Sequence, residues 1–173
     1  QVIFAERPVY FKYRGAWAGG HCACGVNQPA REWYFAEGTT REGFETWLCL
    51  ANPGADEAQT EIKALSDNGE VFTYPVYLPA FSRKSVLINE KVGQDRDVAL
   101  QVAADVPIVA ERPMYFRYKG RWSGGHCCTG VTQAAADWYF AEGTTREGFE
   151  TWLCLANPGN TQAEVEVNYL LAG

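Results

Sequence analysis

The sequence predicts an all-β protein made of antiparallel β-sandwich repeats with a period of 105 residues. Two observations predict it. Residues 33–54 (WYFAEGTTREGFETWLCLANPG) recur letter for letter at 138–159, and at this offset about 43 of the 68 overlapping positions are identical. Between 33 and 118, short runs rich in aromatic and β-branched residues alternate with turn residues, and no segment keeps a helical apolar period. Strands at such spacing are typical of a β-sandwich.

The turns define the predicted strands. Asn52-Pro53-Gly54 ends the strand that contains FETWLCLA, and Asp67-Asn68-Gly69 is a hairpin turn. Pro75 lies within the next strand and predicts an edge or a bulge there. The predicted strands are 33–36, 44–51, 58–65, 71–78, 85–89, 98–103 and 108–116.

The phase of the repeat divides the chain into five segments. Residues 1–14 are predicted to be the final strand of a preceding or neighbouring sandwich, and 33–118 a complete sandwich. Residues 138–173 are predicted to be the first strands of an incomplete sandwich, completed by a neighbouring subunit or by the continuing chain. The Gly-rich segments 15–32 and 119–137 are predicted to be connectors.

Composition excludes several functional classes. The 47% of hydrophobic residues suffices for a buried core. A net charge of −6 without a basic run argues against a nucleic-acid partner. No apolar stretch approaches the roughly 18–20 residues of a membrane span.

The six cysteines follow the repeat with one exception in each copy. Cys22 matches Cys127 and Cys49 matches Cys154, which predicts the disulfides Cys22–Cys49 and Cys127–Cys154 within the repeats, pinning each connector to the WLCL strand.

Cys24 and Cys128 are then left over. Equivalent loops of neighbouring repeats are expected to lie a domain apart, about 40 Å, so we predict a Cys24–Cys128 bond between successive subunits. Six reduced, buried cysteines remain an alternative, as does a zinc site at His21, Cys22, Cys24 and Cys49.

The candidates for catalysis have simpler structural explanations. His21 and His126 each follow Gly-Gly and precede Cys, an arrangement open to a Cys-His pair but more typical of a turn held by its imidazole. The pairs Glu37/Glu42 and Glu142/Glu147 lie in EGTTREG turns. We therefore predict no catalytic residue, cofactor or metal, and no enzyme.

Several motifs together resemble a known family. WYFAEGTT, the NPG turn and AERPMYF resemble a tandem Ig-like β-sandwich repeat of large secreted and surface-attached bacterial proteins, and the likeness covers essentially the whole chain. The resemblance implies an extracellular, cell-surface structural or adhesive module. The family often lacks cysteine after GGH, so the cysteines here depart from its pattern.

The sequence thus predicts a structural subunit of an extracellular filament. It would polymerise head to tail with copies of itself through strand complementation and disulfides. The expected donor strand carries Val2, Phe4, Tyr10, Phe11 and Tyr13. The alternative is an adhesin or carbohydrate-binding repeat, whose aromatic residues, such as Trp17 and Trp47, would stack on surface glycans.

Overall fold

A computed structural model describes residues 2–171; Gln1, Ala172 and Gly173, at the ends of the predicted segments 1–14 and 138–173, lie outside it. About half of the chain is strand and almost none is helix, and the strand pairs are antiparallel, so the predicted all-β class is confirmed. The elements are β1 (Glu6–Tyr13), β2 (Trp17–Cys24), β3 (Ala30–Phe35), β4 (Phe44–Asn52), β5 (Ala58–Ser66), β6 (Val71–Leu78), β7 (Ser82–Leu87), α1 (Asn89–Val92), β8 (Val98–Tyr118) and β9 (Trp122–Thr129).

One long strand organises the sheet. β8 is 21 residues long. Its first part pairs with β5 and β3, and its second part pairs with β4 and β9. Along the main path the strand order is β6-β5-β8-β4-β7, and the sheet curls into a half-barrel. Because both halves of the sheet share one strand, their inner faces enclose a common core.

The core is built from side chains that alternate along these strands. β5 shows the alternation most clearly, with every second residue buried. Trp33 adds a polar anchor, since its Nε1 donates a hydrogen bond to the carbonyl oxygen of Ile108 at 3.0 Å. The largest side chains of the core cluster are Trp33, Phe35, Leu48, Leu50, Ile62, Leu78, Ile88, Leu100, Val102 and Ile108.

Two turn signals and one edge-strand signal in the sequence are confirmed. β4 ends at Asn52, whose side-chain amide donates to the carbonyl oxygens of Leu78 and Pro79. Gly69 forms the β5–β6 turn with a φ of 85°, in the left-handed region that favours glycine. β6, which contains Pro75, is an edge strand as predicted.

The last two predicted strands, 98–103 and 108–116, are one continuous strand. Pro107 lies where β8 changes partners, after the pair Thr60↔Ala104 with β5 and before the pair Ala51↔Val109 with β4. Proline has no N–H to donate, so its place between two ladders costs no hydrogen bond and the strand passes through it.

The predicted strand 85–89 is also shifted, because β7 ends at Leu87. The four-residue helix α1 follows, and no helix within residues 2–171 is long and apolar enough to cross a bilayer.

The Gly-rich segments 15–32 and 119–137 are not simple connectors. β2 and β9 lie inside them, and each returns antiparallel along the strand before it. The paired glycines Gly19-Gly20 and Gly124-Gly125 are members of these strands, while Gly15 and Gly120 lie in the hairpin turns with positive φ. Residues 138–171, expected to begin a second sandwich, form no strand in the structure.

Prediction from the core. The repeat supplies a matched pair, because Leu50 is 1% exposed while its counterpart Leu155 is 59% exposed. We expect Leu50→Ala to lower the free energy of unfolding by about 2–5 kcal/mol, through lost burial and the cavity left behind. Leu155→Ala should change it by less than about 0.5 kcal/mol. Urea denaturation followed by tryptophan fluorescence measures both, and equal losses would contradict this assignment of the core.

Candidate functional site

Two hairpins of nearly the same sequence stack on one another. Hairpin 1 is β1–β2, and hairpin 2 is the end of β8 with β9, 105 positions later. Strand alternation gives each hairpin two unlike faces. In hairpin 1 the ring face carries Arg7, Val9, Phe11, Tyr13, Trp17, Gly19, His21 and Ala23. The tyrosine face carries Glu6, Pro8, Tyr10, Lys12, Ala18, Gly20, Cys22 and Cys24.

The ring face of hairpin 1 covers the tyrosine face of hairpin 2. At its centre the ring of Tyr115 lies edge-on to Phe11, with centroids 4.9 Å apart, and 5.2 Å from Tyr13. His21 stands 6.4 Å away on a third side. Burial raises the pKa of Tyr115 above its ordinary value. Offset and edge-on pairs of this kind stabilise beyond the area they bury.

Polar contacts fix the register of the stack. Arg7 Nη1 donates to Glu111 Oε2 at 2.9 Å, which raises the pKa of Arg7. Ser123 Oγ accepts from the backbone N–H of Ala18 at 2.9 Å, and these residues are 105 positions apart. The two hairpins therefore meet with equivalent residues side by side.

Glycines permit the close approach. A Cβ on Gly19 would lie 3.1 Å from the Cα of Gly124, and a Cβ on Gly125 would lie 2.9 Å from Cζ of Phe11. No side chain fits at Gly125 without displacing that ring. One glycine of each Gly-Gly pair that suggested a turn, Gly19 and Gly125, thus faces the contact between the hairpins.

The tip of each hairpin contacts a glutamate in the repeated segment that follows it in the chain. Tyr13 Oη donates to Glu45 Oε2 at 2.6 Å, and Arg14 pairs with the same carboxylate. Hairpin 2 repeats this contact one period later. Tyr118 Oη donates to Glu150 Oε2 at 2.8 Å, and Lys119 pairs with Glu150 at 2.6 Å.

Residues 138–161 keep the local hydrogen bonds of the first copy. Thr46 Oγ donates to the carbonyl oxygen of Thr39 at 2.7 Å, and Thr151 Oγ donates to Thr144 at the same distance. Asn157 Oδ1 accepts from the N–H of Gly159 at 3.0 Å, as Asn52 does from Gly54. The second copy therefore has the local conformation of the first without its strand pairing.

Glu37 is an ion-pair partner of a buried arginine. Arg112 is 3% exposed, and its Nη1 lies 3.0 Å from Glu37 Oε2. His126 Nε2 lies 3.6 Å from the other carboxylate oxygen, and burial lowers the pKa of His126.

The histidines are strand residues, which corrects the expected turn. His21 lies in β2, where its ring packs between aromatic rings, and within residues 2–171 neither buried ring nitrogen has a hydrogen-bond partner. Burial lowers the pKa of His21. Among these residues no three His, Cys, Asp or Glu side chains are grouped to hold a metal ion.

The six cysteines are free thiols in the described part of the chain, and the predicted disulfides remain predictions. The expected distance of about 40 Å between equivalent loops is wrong. Thr129, next in the chain to Cys128, donates through Oγ to the carbonyl oxygen of Cys24 at 3.4 Å. The loops are close because successive hairpins stack on one another.

The proposed donor residues have two environments. Val2 and Phe4 are fully exposed and precede β1, and Tyr10 is 85% exposed on the tyrosine face. Phe11 and Tyr13 are half-buried against hairpin 2. Sequence reasoning missed the second role because it placed hairpin 1 in a different domain from hairpin 2.

Comparison with known proteins shows a likeness of fold. No family model and no curated protein sequence matches the chain. The crystal structure of Thermotoga maritima 1070 superimposes with a TM-score of 0.55 at 19% identity, covering 62% of this chain and 97% of that one. The Anabaena sensory rhodopsin transducer gives 0.43 at 26% identity, covering 50% and 97%. At 19% identity the first match concerns the fold alone.

Prediction from the thiols. Burial raises the pKa of Cys127 to about 11, whereas its counterpart Cys22 is exposed. Because the thiolate is the nucleophile, Cys127 should react with iodoacetamide at pH 8 roughly 100-fold more slowly in the folded chain than in the same chain unfolded in urea. Cys22 should change far less. Peptide mass spectrometry after timed quenching measures both, and rapid labelling of folded Cys127 would contradict its burial.

Prediction from the ion pair. Glu37→Ala leaves the buried guanidinium of Arg112 without its carboxylate, and we expect a loss of about 1–3 kcal/mol in the free energy of unfolding. Glu142 is the exposed counterpart of Glu37 in the second copy. Glu142→Ala should cost less than about 0.5 kcal/mol. Denaturant titration compares the two variants, and a Glu37→Ala variant as stable as Glu142→Ala would overturn the role given to this pair.

Proposed function

We propose that the protein is a structural module of an extracellular filament or surface fibre that assembles head to tail from Ig-like sandwich repeats. The observation that carries the proposal is the recurrence of one junction. The contact of Tyr13 and Arg14 with Glu45 recurs one period later as the contact of Tyr118 and Lys119 with Glu150. A junction that repeats at constant spacing is what a linear array requires.

The second copy supports the proposal through its unpaired strands. Residues 138–171 have the local conformation of a repeat but no strand partner, and they leave apolar side chains in solvent. Exposed apolar surface of this extent marks an association site. The largest such side chains in this segment are Trp138, Tyr139, Phe140, Phe149, Trp152, Tyr169, Leu170 and Leu171.

A neighbouring copy, or the continuing chain, would supply the missing partners. The requirement is larger than one strand, because the first copy needs β6, β7 and β8 to complete its sheet. β1 already pairs with β2 along one edge, which leaves its other edge free to extend a neighbouring sheet.

Exposed cysteines would add covalent links. Cys24 and Cys128 are both exposed, and their positions differ between the copies. Cys24 lies on the tyrosine face of hairpin 1 and Cys128 on the ring face of hairpin 2, which are the two outer faces of the stack. A bond between them in successive subunits therefore joins unlike surfaces and propagates.

Prediction on covalent assembly. Without reductant we expect a ladder of multimers on denaturing gels that collapses with reductant to the 19.2 kDa chain. Cys24→Ser should remove the ladder, while Cys49→Ser, at a half-buried thiol, should leave it. A single monomer band without reductant would contradict the covalent form of the proposal.

Prediction on strand complementation. Negative-stain electron microscopy of the full chain should show filaments, and deletion of residues 1–13 should abolish them. Filaments unchanged by the deletion would rule out a contribution from this segment.

A glycan-binding repeat is the second candidate. It is favoured by rings such as Trp152 and Tyr139, which are 71% and 91% exposed and could stack on sugars. A glycan array with the wild-type chain and a Trp152→Ala variant tests it, and binding lost in the variant would favour this candidate.

A further inference from the structure

The tyrosine face of hairpin 1 is bare, although its duplicate on hairpin 2 is covered. Tyr10, at the position of Tyr115, is 85% exposed. Both faces carry the same Glu, Pro, Tyr, Gly and Cys in the same order, and differ at Lys12, where hairpin 2 has arginine, at Ala18 and at Cys24. The exposed tyrosine face of hairpin 1 thus carries nearly the same side chains as the tyrosine face of hairpin 2, which is covered by the ring face of hairpin 1.

The ring face of hairpin 2, on the opposite side of the stack, is not covered by another hairpin in the described residues. Phe116, Tyr118, Trp122 and His126, the counterparts of Phe11, Tyr13, Trp17 and His21, line a cavity of about 790 Å³ between hairpin 2 and residues 148–157. This volume lies within the range of pockets that hold a ligand.

The rings of this cavity have the spacing of the rings that hold Tyr115. Phe116 and His126 have centroids 6.0 Å apart, against 6.3 Å for Phe11 and His21. Tyr118 and Trp122 are 5.6 Å apart, against 5.8 Å for their counterparts. The ring spacing is thus kept, while Tyr118 and Trp122 stack at 25° where Tyr13 and Trp17 meet at 61°. Phe44 packs beside Phe116 and Tyr118 and forms part of the same aromatic surface.

We propose that Tyr10 of one copy inserts into the cavity lined by Phe116, Tyr118 and His126 of a second copy, as Tyr115 inserts among Phe11, Tyr13 and His21. The proposal rests on the head-to-tail assembly proposed above and specifies the contact through which it is made. The occupant of the cavity is a second copy of this chain.

We expect aromatic packing to provide the binding energy of this contact, because the arginine of the cavity already has an ion-pair partner. Within hairpin 1 the guanidinium of Arg7 reaches Glu111, but its counterpart Arg112 is held by Glu37. Glu6 of the incoming copy therefore meets a guanidinium that is already paired. Burial of an aromatic side chain in a preformed pocket is the feature of a binding hot spot.

The contact joins unlike surfaces, so it has a direction. One copy contributes Tyr10 and the other contributes the cavity. The first copy still has an empty cavity, and the second still has an exposed Tyr10. Such heterologous contacts continue into a chain unless they close a ring.

Tyr10→Ala in the full chain tests the contact. Sedimentation velocity over a concentration series, with reductant present to exclude disulfides, should show self-association of the wild type. Tyr10→Ala should weaken it by about tenfold or more, and Tyr10→Phe, which keeps the ring, by much less. Tyr77→Ala is the matched control, because Tyr77 is an exposed tyrosine on the edge strand β6. It should associate like the wild type.

Mixing two defective chains tests the direction. His126→Ala impairs the cavity but keeps Tyr10, and Tyr10→Ala keeps the cavity. At a concentration at which the wild type associates and neither variant does, an equimolar mixture of the two variants should form dimers and no longer species. Thermal melts check that both variants fold. Because Tyr10 is exposed, Tyr10→Ala should fold normally, and its effect on self-association can be interpreted even if His126→Ala does not fold.

The outcomes separate the two proposals. If the wild type associates and Tyr10→Ala associates equally, this contact is overturned and head-to-tail assembly stands. A wild type that is monomeric at every concentration overturns this contact and the non-covalent form of the head-to-tail assembly, and the gels without reductant then decide the disulfide-linked form.

Discussion

The hydrogen bonding of one strand holds the seven-stranded sheet together. β8 pairs with β5 and β3 along its first part and with β4 and β9 along its second. It then continues past the core as one strand of hairpin 2, so the core and the stacked hairpins share a single backbone. A break in β8 would separate the half-barrel into two small sheets, each with too few strands to bury its apolar face. The strand also sets the direction in which hairpin 2 projects.

Identical residues in two settings separate local from tertiary determinants. The 22 residues from Trp33 recur from Trp138, and the hydrogen bonds of their Thr, Asn and Trp side chains recur with them. Strand pairing and burial do not recur: Leu50 is buried and Leu155 is exposed. Turn geometry is therefore encoded by side chains close in sequence, whereas strands form only when their partners are present.

Much of the fold was predictable from local chemistry, and the errors share a cause. The end of β4 at Asn52, the Gly69 turn and the edge position of Pro75 follow from single-residue properties that act within a few positions. The continuity of β8 through Pro107 does not, because it depends on which ladders flank the proline. The Gly-Gly pairs led to the wrong prediction of connectors and turns for the same reason, because their role depends on residues distant in sequence. A glycine selected for close approach of two backbones is indistinguishable in sequence from one selected for a turn.

The stack also explains why only part of the candidate site could be predicted from the sequence. The repeat predicted that equivalent residues exist, but not that they would lie side by side. Contact at a constant offset requires each hairpin to have two complementary faces, and strand alternation supplies them from a single sequence. The ring face and the tyrosine face differ, so a stack of equivalent hairpins has a direction and is not closed by a two-fold axis. Within one chain this leaves a bare Tyr10 at one end and an open ring-lined cavity at the other. The bare tyrosine face and the ring-lined cavity are complementary to each other, because the same two faces already meet between hairpin 1 and hairpin 2.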